Sequence, residues 1–416
     1  MRLKHDFKED NLQRKETAKQ YLQFINKLQG NHTIALDAPW GSGKSKFIDF
    51  MCEDMDKDKN KDIYIKYNAW DNDYTDEPFL SLMSEIFSSF EEKKYIGKDE
   101  LKNIKSKAIA ISKAVGKGIT KGLVKNILGS DATKDLSDGI ESLAKGAISE
   151  TSQLLIDSTF KNMSQTKKTR EQFTEELKNT TKKILEEKSK NKLIIIIDEL
   201  DRCKPTFAIE LLENIKHLFA IEEVIFFIAV DRTQLSESIK AVYGSGFDSD
   251  TYLDRFFDIN LYLKKNNMQE HFKQKIIKYF NEDIPCVYDY FDYHKFCKEA
   301  IEALELTLRD FEKIISEAYL IYKLNSIRDF ELEVILFLLM FRKKSPQDYN
   351  TFIDHNNQNI TQINIIVFKE SNSNYAIFMR TYILSILRDK NETLKTVAKL
   401  STLTNTLIQI IEETKL

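Results

Sequence analysis

Short apolar, β-branched runs bounded by polar residues recur in the first part of the chain, at 33–36, 63–67, 193–197 and 224–230. Each predicts a strand. The last two are apolar almost throughout instead of alternating, the pattern of strands covered on both faces in a parallel sheet with helices between them. The pattern after 46, with Phe47, Ile48, Met51 and Met55, has helical spacing. Together these elements predict an α/β nucleotide-binding layout.

Residues 91–190 exceed anything a strand-to-helix connection needs and predict an insertion. Ile104, Ala108, Ile111, Val115 and Ile119 line one face of a helical period there, while Lys113, Lys117, Lys121 and Lys125 recur every fourth residue on another. Gly116, Gly118 and Gly122 each weaken that helix by about 1 kcal/mol relative to alanine. A second stretch with Leu136, Ile140 and Leu143 at helical spacing makes a helical hairpin the expectation. All 12 glycines lie at or before Gly246, and only Pro285 and Pro346 follow, so residues 264–416 are expected to be helical.

A chain of 416 residues has room for two or three units of ordinary size. With 42% hydrophobic and 31% charged residues it has a globular composition, and 62 Lys+Arg against 65 Asp+Glu gives no global argument for nucleic acid or membrane. The 17 Tyr and 27 Phe sit in apolar helical patterns such as Tyr319, Ile321, Tyr322 and Phe330, which core packing explains better than base stacking, so no nucleic-acid site is expected. Cys52, Cys203, Cys286 and Cys297 show neither Cys-x-x-Cys spacing nor histidine neighbours, and read as reduced structural thiols. The charged first ten residues lack the apolar core of a signal peptide and no uncharged apolar run reaches spanning length, the profile of a cytoplasmic protein.

The chemistry concentrates in two places. Pro39-Trp40-Gly41-Ser42-Gly43-Lys44-Ser45-Lys46 follows a predicted strand and opens a predicted helix. Backbone N–H groups of such a turn point at phosphate oxygens, the helix N-terminus adds its positive end, Lys44 reaches the β- and γ-phosphates and Ser45 ligates Mg²⁺. Ala38 stands where the usual pattern opens with glycine. Downstream, the apolar run 193–197 delivers Asp198 and Glu199 to the carboxyl edge of the sheet. Asp198 is the candidate metal ligand with Ser45, and Glu199 the candidate that orients and deprotonates an attacking water. Asp201 and Arg202 continue that loop, either as a solvated or interface ion pair or as direct participants, and Asp231 ends the next strand as a sensor candidate. No Asn-Lys-x-Asp guanine-reading motif is present, which leans the expectation towards ATP.

Trp40 to Ser45, Tyr67-Asn68-Ala69-Trp70, Asp198-Glu199-Leu200-Asp201-Arg202-Cys203-Lys204-Pro205, the strand Phe226 to Asp231 and Tyr252 to Phe257 together resemble the KAP family of P-loop NTPases, over roughly residues 17–263. The resemblance implies a parallel sheet of the additional-strand type, with the 224–230 strand between the phosphate-loop strand and the acidic strand. The expected organisation is a core of 1–90 and 191–263, a helical insertion at 91–190 and a helical C-terminal domain at 264–416. Arg255, and more weakly Arg309, become candidates for an arginine acting on the γ-phosphate. Many members carry membrane spans where this chain has its lysine-striped insert, and many bacterial relatives are linked to defence against phages. Here the insert is expected to pack on the domain, before docking a partner or, least favoured, touching a membrane surface through 105–125. The expected activity is Mg²⁺-dependent ATP hydrolysis that regulates an effector protein or an oligomer; the alternative is a nucleotide-locked scaffold with negligible turnover.

Overall fold

The computed structural model describes residues 10, 12–57, 62–114, 152–218, 221–263 and 306–324, with 271, 275, 279, 280, 335, 336, 339, 340, 342, 343, 346 and 347. Side chains at 110–114, 152–167, 169, 322 and 324 are outside that description. Two units can be distinguished: 15–39 with 44–263, and 1–14 with 40–43 and 264–416.

In the first unit the helix α1 (Arg14–Lys27), counted from its second residue, precedes β1 (His32–Asp37), α2 (Lys44–Met55) and β2 (Asp62–Asn68). Then come α3 (Ala69–Asn72), α4 (Pro78–Glu92), α5 (Lys98–Ala114) and α6 (Ser152–Glu187). β3 (Lys192–Asp198), a 3₁₀ turn (Leu200–Arg202), α7 (Pro205–Leu218), β4 (Val224–Val230), α8 (Arg232–Tyr243), α9 (Ser249–Leu253) and β5 (Ile259–Tyr262) complete it. The strands form one five-stranded sheet in the order β2-β3-β4-β1-β5. Every pairing is parallel, and β4 lies between β1 and β3 as the family resemblance implied.

The apolar runs are explained by cover on both faces. Along β4, Val224, Phe226, Ile228 and Val230 enter one cluster of buried side chains, and Ile225, Phe227 and Ala229 enter the other. β3 divides likewise, with Leu193, Ile195 and Ile197 on the first side and Ile194 and Ile196 on the second. Alternation places successive side chains on opposite faces, so a strand buried on both must be apolar at every position. Phe47, Ile48, Met51 and Met55 of α2, with Leu22 and Ile25 of α1, cover one face; α4 and α7 cover the other. At the edge, β5 is a strand the sequence pattern did not announce. Its four residues, Ile-Asn-Leu-Tyr, are only partly covered, and pairing with β1, not apolar content, makes them a strand.

The described ends of the insertion share this core. Ile104 and Ala108 of α5 are buried, as their apolar face predicted, together with Phe173, Leu177 and Ile184 of α6. Phe173 meets Phe79 of α4 edge to face at 5.7 Å. Polar pairs Lys107–Glu176 at 2.6 Å and Lys183–Glu100 at 2.9 Å fix α5 against α6. Lys117, Lys121, Lys125, Val115, Ile119, the three glycines and Leu136, Ile140 and Leu143 lie outside the described residues, as do the side chains of Ile111 and Lys113. Among the described residues, no helix is long and apolar enough to cross a membrane.

In the second unit, α10 (Leu308–Leu324) buries Phe311, Ile314, Ile315, Ala318 and Ile321 at three- and four-residue spacing. Thr307 and Asp310 cap it reciprocally: the Asp310 carboxylate accepts from Thr307 N–H at 3.1 Å, and the Asp310 N–H donates to Thr307 Oγ1 at 3.2 Å. Tyr319 packs its ring edge-on against Tyr279 and Phe280 at 5.6 and 5.8 Å, so this tyrosine is a packing residue. Apart from the single positions named above, the rest of the region expected to be helical, with Phe330, Cys286 and Cys297, is outside the described residues. Cys52 and Cys203 are buried free thiols, and burial pushes Cys52 up to about 12.

Candidate functional site

Parallel registration brings the carboxyl ends of the strands level. Asn68 at the end of β2 pairs in register with Asp198 at the end of β3, and Asp37 of β1 with Val230 of β4. The chain then has to turn at each end, and the turns carry the polar residues.

After β1, the turn to α2 is built on two glycines in the left-handed region, Gly41 at φ 77° and Gly43 at φ 89°. Ser42 between them has a buried hydroxyl with no hydrogen-bond partner. A buried orphan donor in a glycine turn at a helix start is what a phosphate oxygen would satisfy, so these residues fit a bound nucleotide. Within the second unit, Gly41 also accepts a hydrogen bond from the backbone N–H of Arg309 at 3.3 Å. Trp40 is 41% exposed, Pro39 is exposed, and Lys46 lays its ammonium over the Phe50 ring at 4.8 Å.

Lys44, the first residue of α2, is buried. Its Nζ donates to the Ala38 carbonyl at 2.7 Å and lies 3.6 Å from an Asp201 carboxylate oxygen. That same Asp201 oxygen accepts the Asp231 N–H at 2.7 Å. Asp201 is therefore a buried link between the phosphate-loop lysine and the end of β4, an ion pair shielded from solvent. The Asp231 carboxylate accepts from Gln234 N–H at 3.3 Å, capping α8.

The turn after β3 has an alternating anchor. Leu200 and Cys203 are buried, Glu199 takes a left-handed conformation at φ 61° and ψ 25°, and Pro205 opens α7, where a missing N–H costs nothing. Asp198 is half buried, and the Ser45 hydroxyl lies beside its carboxylate. Burial pushes the Asp198 carboxyl above its usual range, against the Ser45 and Glu199 hydrogen bonds and the Lys44 charge that pull it down. The Asp201 charge adds to the rise. A hydroxyl beside a carboxylate suits an oxygen-ligated divalent ion that keeps several waters, as Mg²⁺ does.

The raised Asp198 carboxyl has a pH consequence. Protonated, it cannot ligate a metal, so Mg²⁺-dependent nucleotide affinity is expected to weaken on acidification before the ordinary carboxylate range is reached. Stability moves oppositely, because the ionised buried group is a cost above the raised folded value and that cost fades as pH falls through it. Binding titrations across this range are expected to lose the acid-side limb in Asp198→Asn; an unaltered limb in that variant would assign it to another group.

Structure thus joins Lys44, Ser45, Asp198, Glu199 and Asp231 through short contacts and adds Asp201. Arg255 sits in the exposed turn after α9, where its backbone carbonyl accepts from Lys216 Nζ, and none of its described contacts joins it to this group. Asn68 is the position the motif reading left without a role. Its Oδ1 caps α3 by accepting from the N–H groups of Trp70 and Asp71 at 3.1 and 3.3 Å, and its Nδ2 donates to Glu199 Oε2 at 3.5 Å. An asparagine at a strand end before a helical turn was the available signal.

A comparison with curated proteins finds no match. A family model described as the KAP family P-loop domain matches residues 14–325. The match spans both motif loops, all five strands and α10. With a nucleotide-binding turn built at the sheet edge and more than half of the chain matched, the protein belongs to the KAP family of P-loop NTPases.

Proposed function

We propose that this chain binds ATP with Mg²⁺ and hydrolyses it by in-line attack of water on the γ-phosphate. The observation that carries the reading is the buried Lys44 ammonium, held 2.7 Å from the Ala38 carbonyl, with the Ser45 hydroxyl beside the Asp198 carboxylate and Glu199 as the next residue. When bound, Mg²⁺ would neutralise charge on the phosphates and orient them. Ser45 and Asp198 would hold it, the 41–43 turn would surround the phosphates, and Lys44 would balance their charge. Glu199 would orient the water and take its proton. Arg255, exposed and joined to none of these groups, would act on the triphosphate only after a rearrangement or from a neighbouring copy. In this reading hydrolysis regulates a partner protein or an oligomer through the 264–416 region, and defence against phages is the setting the family resemblance suggests.

One observation favours the second reading, a nucleotide-locked scaffold. Glu199 Oε1 is held by Arg202 Nη1 at 2.7 Å, while Oε2 faces Asn68, so both carboxylate oxygens are engaged. Phosphate release by the full-length protein, against the amount of nucleotide it retains, separates the two. Multiple turnovers are the expected result; one retained ATP per chain without phosphate release would select the scaffold.

A further inference from the structure

A carboxylate that takes a proton from water must present an oxygen within about 2.6–3.2 Å of it. In Glu199 the Oε1 atom already has Arg202 at 2.7 Å, and the pair is partly shielded, with side-chain exposures of 24% for Arg202 and 18% for Glu199. The Arg202 guanidinium in turn lies over the indole of Trp70, 5.3 Å from the ring centroid. A planar cation can pair with a carboxylate in its plane and stack on an aromatic face at once, which an ammonium cannot. Trp70 itself is 49% exposed. Asn68 caps the short helix that carries Trp70, so one element holds both ends of the arrangement: Asn68 contacts the carboxylate and Trp70 the guanidinium. That element is tied to the acidic turn by Lys204, whose N–H donates to Asp73 at 3.1 Å and whose Nζ lies 3.2 Å from Asp76.

We propose that Arg202 is a positioning residue for Glu199, holding its carboxylate in a resting pose from which it must be released for turnover, with the exposed Trp70 indole holding Arg202 in place. The inference rests on the hydrolytic reading above. Glu199 supplies the proton-accepting oxygen, and Arg202 acts only through it.

The test measures kcat, KM and melting temperature in the full-length protein for Arg202→Met, Arg202→Lys, Trp70→Ala and the double variant Trp70→Ala/Arg202→Met. Loss of one partly shielded ion pair predicts a rise in kcat of roughly three- to tenfold in Arg202→Met at similar KM. A smaller rise is expected in Trp70→Ala, with no further rise in the double variant beyond Arg202→Met. Arg202→Lys, which restores the charge without the plane, should bring kcat back towards wild type. A merely structural role moves kcat and melting temperature down together, whereas the resting pose predicts kcat up whatever the melting temperature does. Turnover in the wild type with no rise in Arg202→Met overturns this inference alone. Nucleotide binding without phosphate release in every form overturns the hydrolytic reading, and this inference with it.

Discussion

Lys44→Ala is expected to abolish nucleotide binding at concentrations that saturate the wild type. Lys44 is held in a buried position between the Ala38 carbonyl and Asp201, with side-chain exposures of 9% for the lysine and 2% for the aspartate. In the proposed reading its ammonium is the charge-assisted donor that the loop offers to phosphate, and such bonds contribute about 1.5–3 kcal/mol each. Losing one or two of them weakens affinity by roughly tenfold to 10⁴-fold. The substitution has a second effect, on stability. Asp201 loses the Lys44 cation, and breaking a buried ion pair by removing one partner costs about 3–5 kcal/mol. Adding Asp201→Asn removes the remaining charge, so the double variant should melt closer to wild type while still failing to bind. Calorimetric titration with ATP and Mg²⁺ on protein shown to be folded reads the outcome. Unchanged affinity in the folded double variant would remove the phosphate-binding role of Lys44.

Glu199→Gln should separate binding from turnover. Glutamine matches glutamate in shape and keeps a carbonyl oxygen for Arg202, so the turn from Leu200 to Cys203, anchored by its two buried ends, should persist. What disappears is the capacity to accept a proton, which contributes about 10²–10⁴-fold when a side chain acts as general base. Nucleotide affinity is expected to stay near wild type, because Lys44, Ser45 and Asp198 are untouched. Single-turnover phosphate release distinguishes this from a release defect. Wild-type turnover in Glu199→Gln would move the base elsewhere.

The strands β3 and β4 were readable because a strand buried on both faces must be apolar at every position, the 224–230 run being the clearest case, and β1 and β2 because short β-branched runs there are bounded by polar residues. β5 was not, since four half-covered residues have too little pattern and owe their conformation to the β1 edge. Ile104 and Ala108 were placed correctly on the buried face of α5. Their partners Phe173 and Leu177 lie far along the chain, and no local periodicity names them. In the motif loops, residue types and spacing were enough to nominate Lys44, Ser45, Asp198 and Glu199. They were not enough to choose between the readings of Asp201 and Arg202, adjacent in sequence and opposite in fate: one is buried against Lys44, the other turns outward to Glu199 and Trp70.

That division has one physical source. Backbone preferences and the two-residue alternation of a strand are local, and so is the glycine turn that leads into α2; the sequence alone determined these. Side-chain pairings between Asn68 and Glu199, Lys44 and Asp201, or Asp201 and Asp231 join residues many positions apart. They exist because parallel register sets strand ends side by side, and only the tertiary structure decided which charges would meet there.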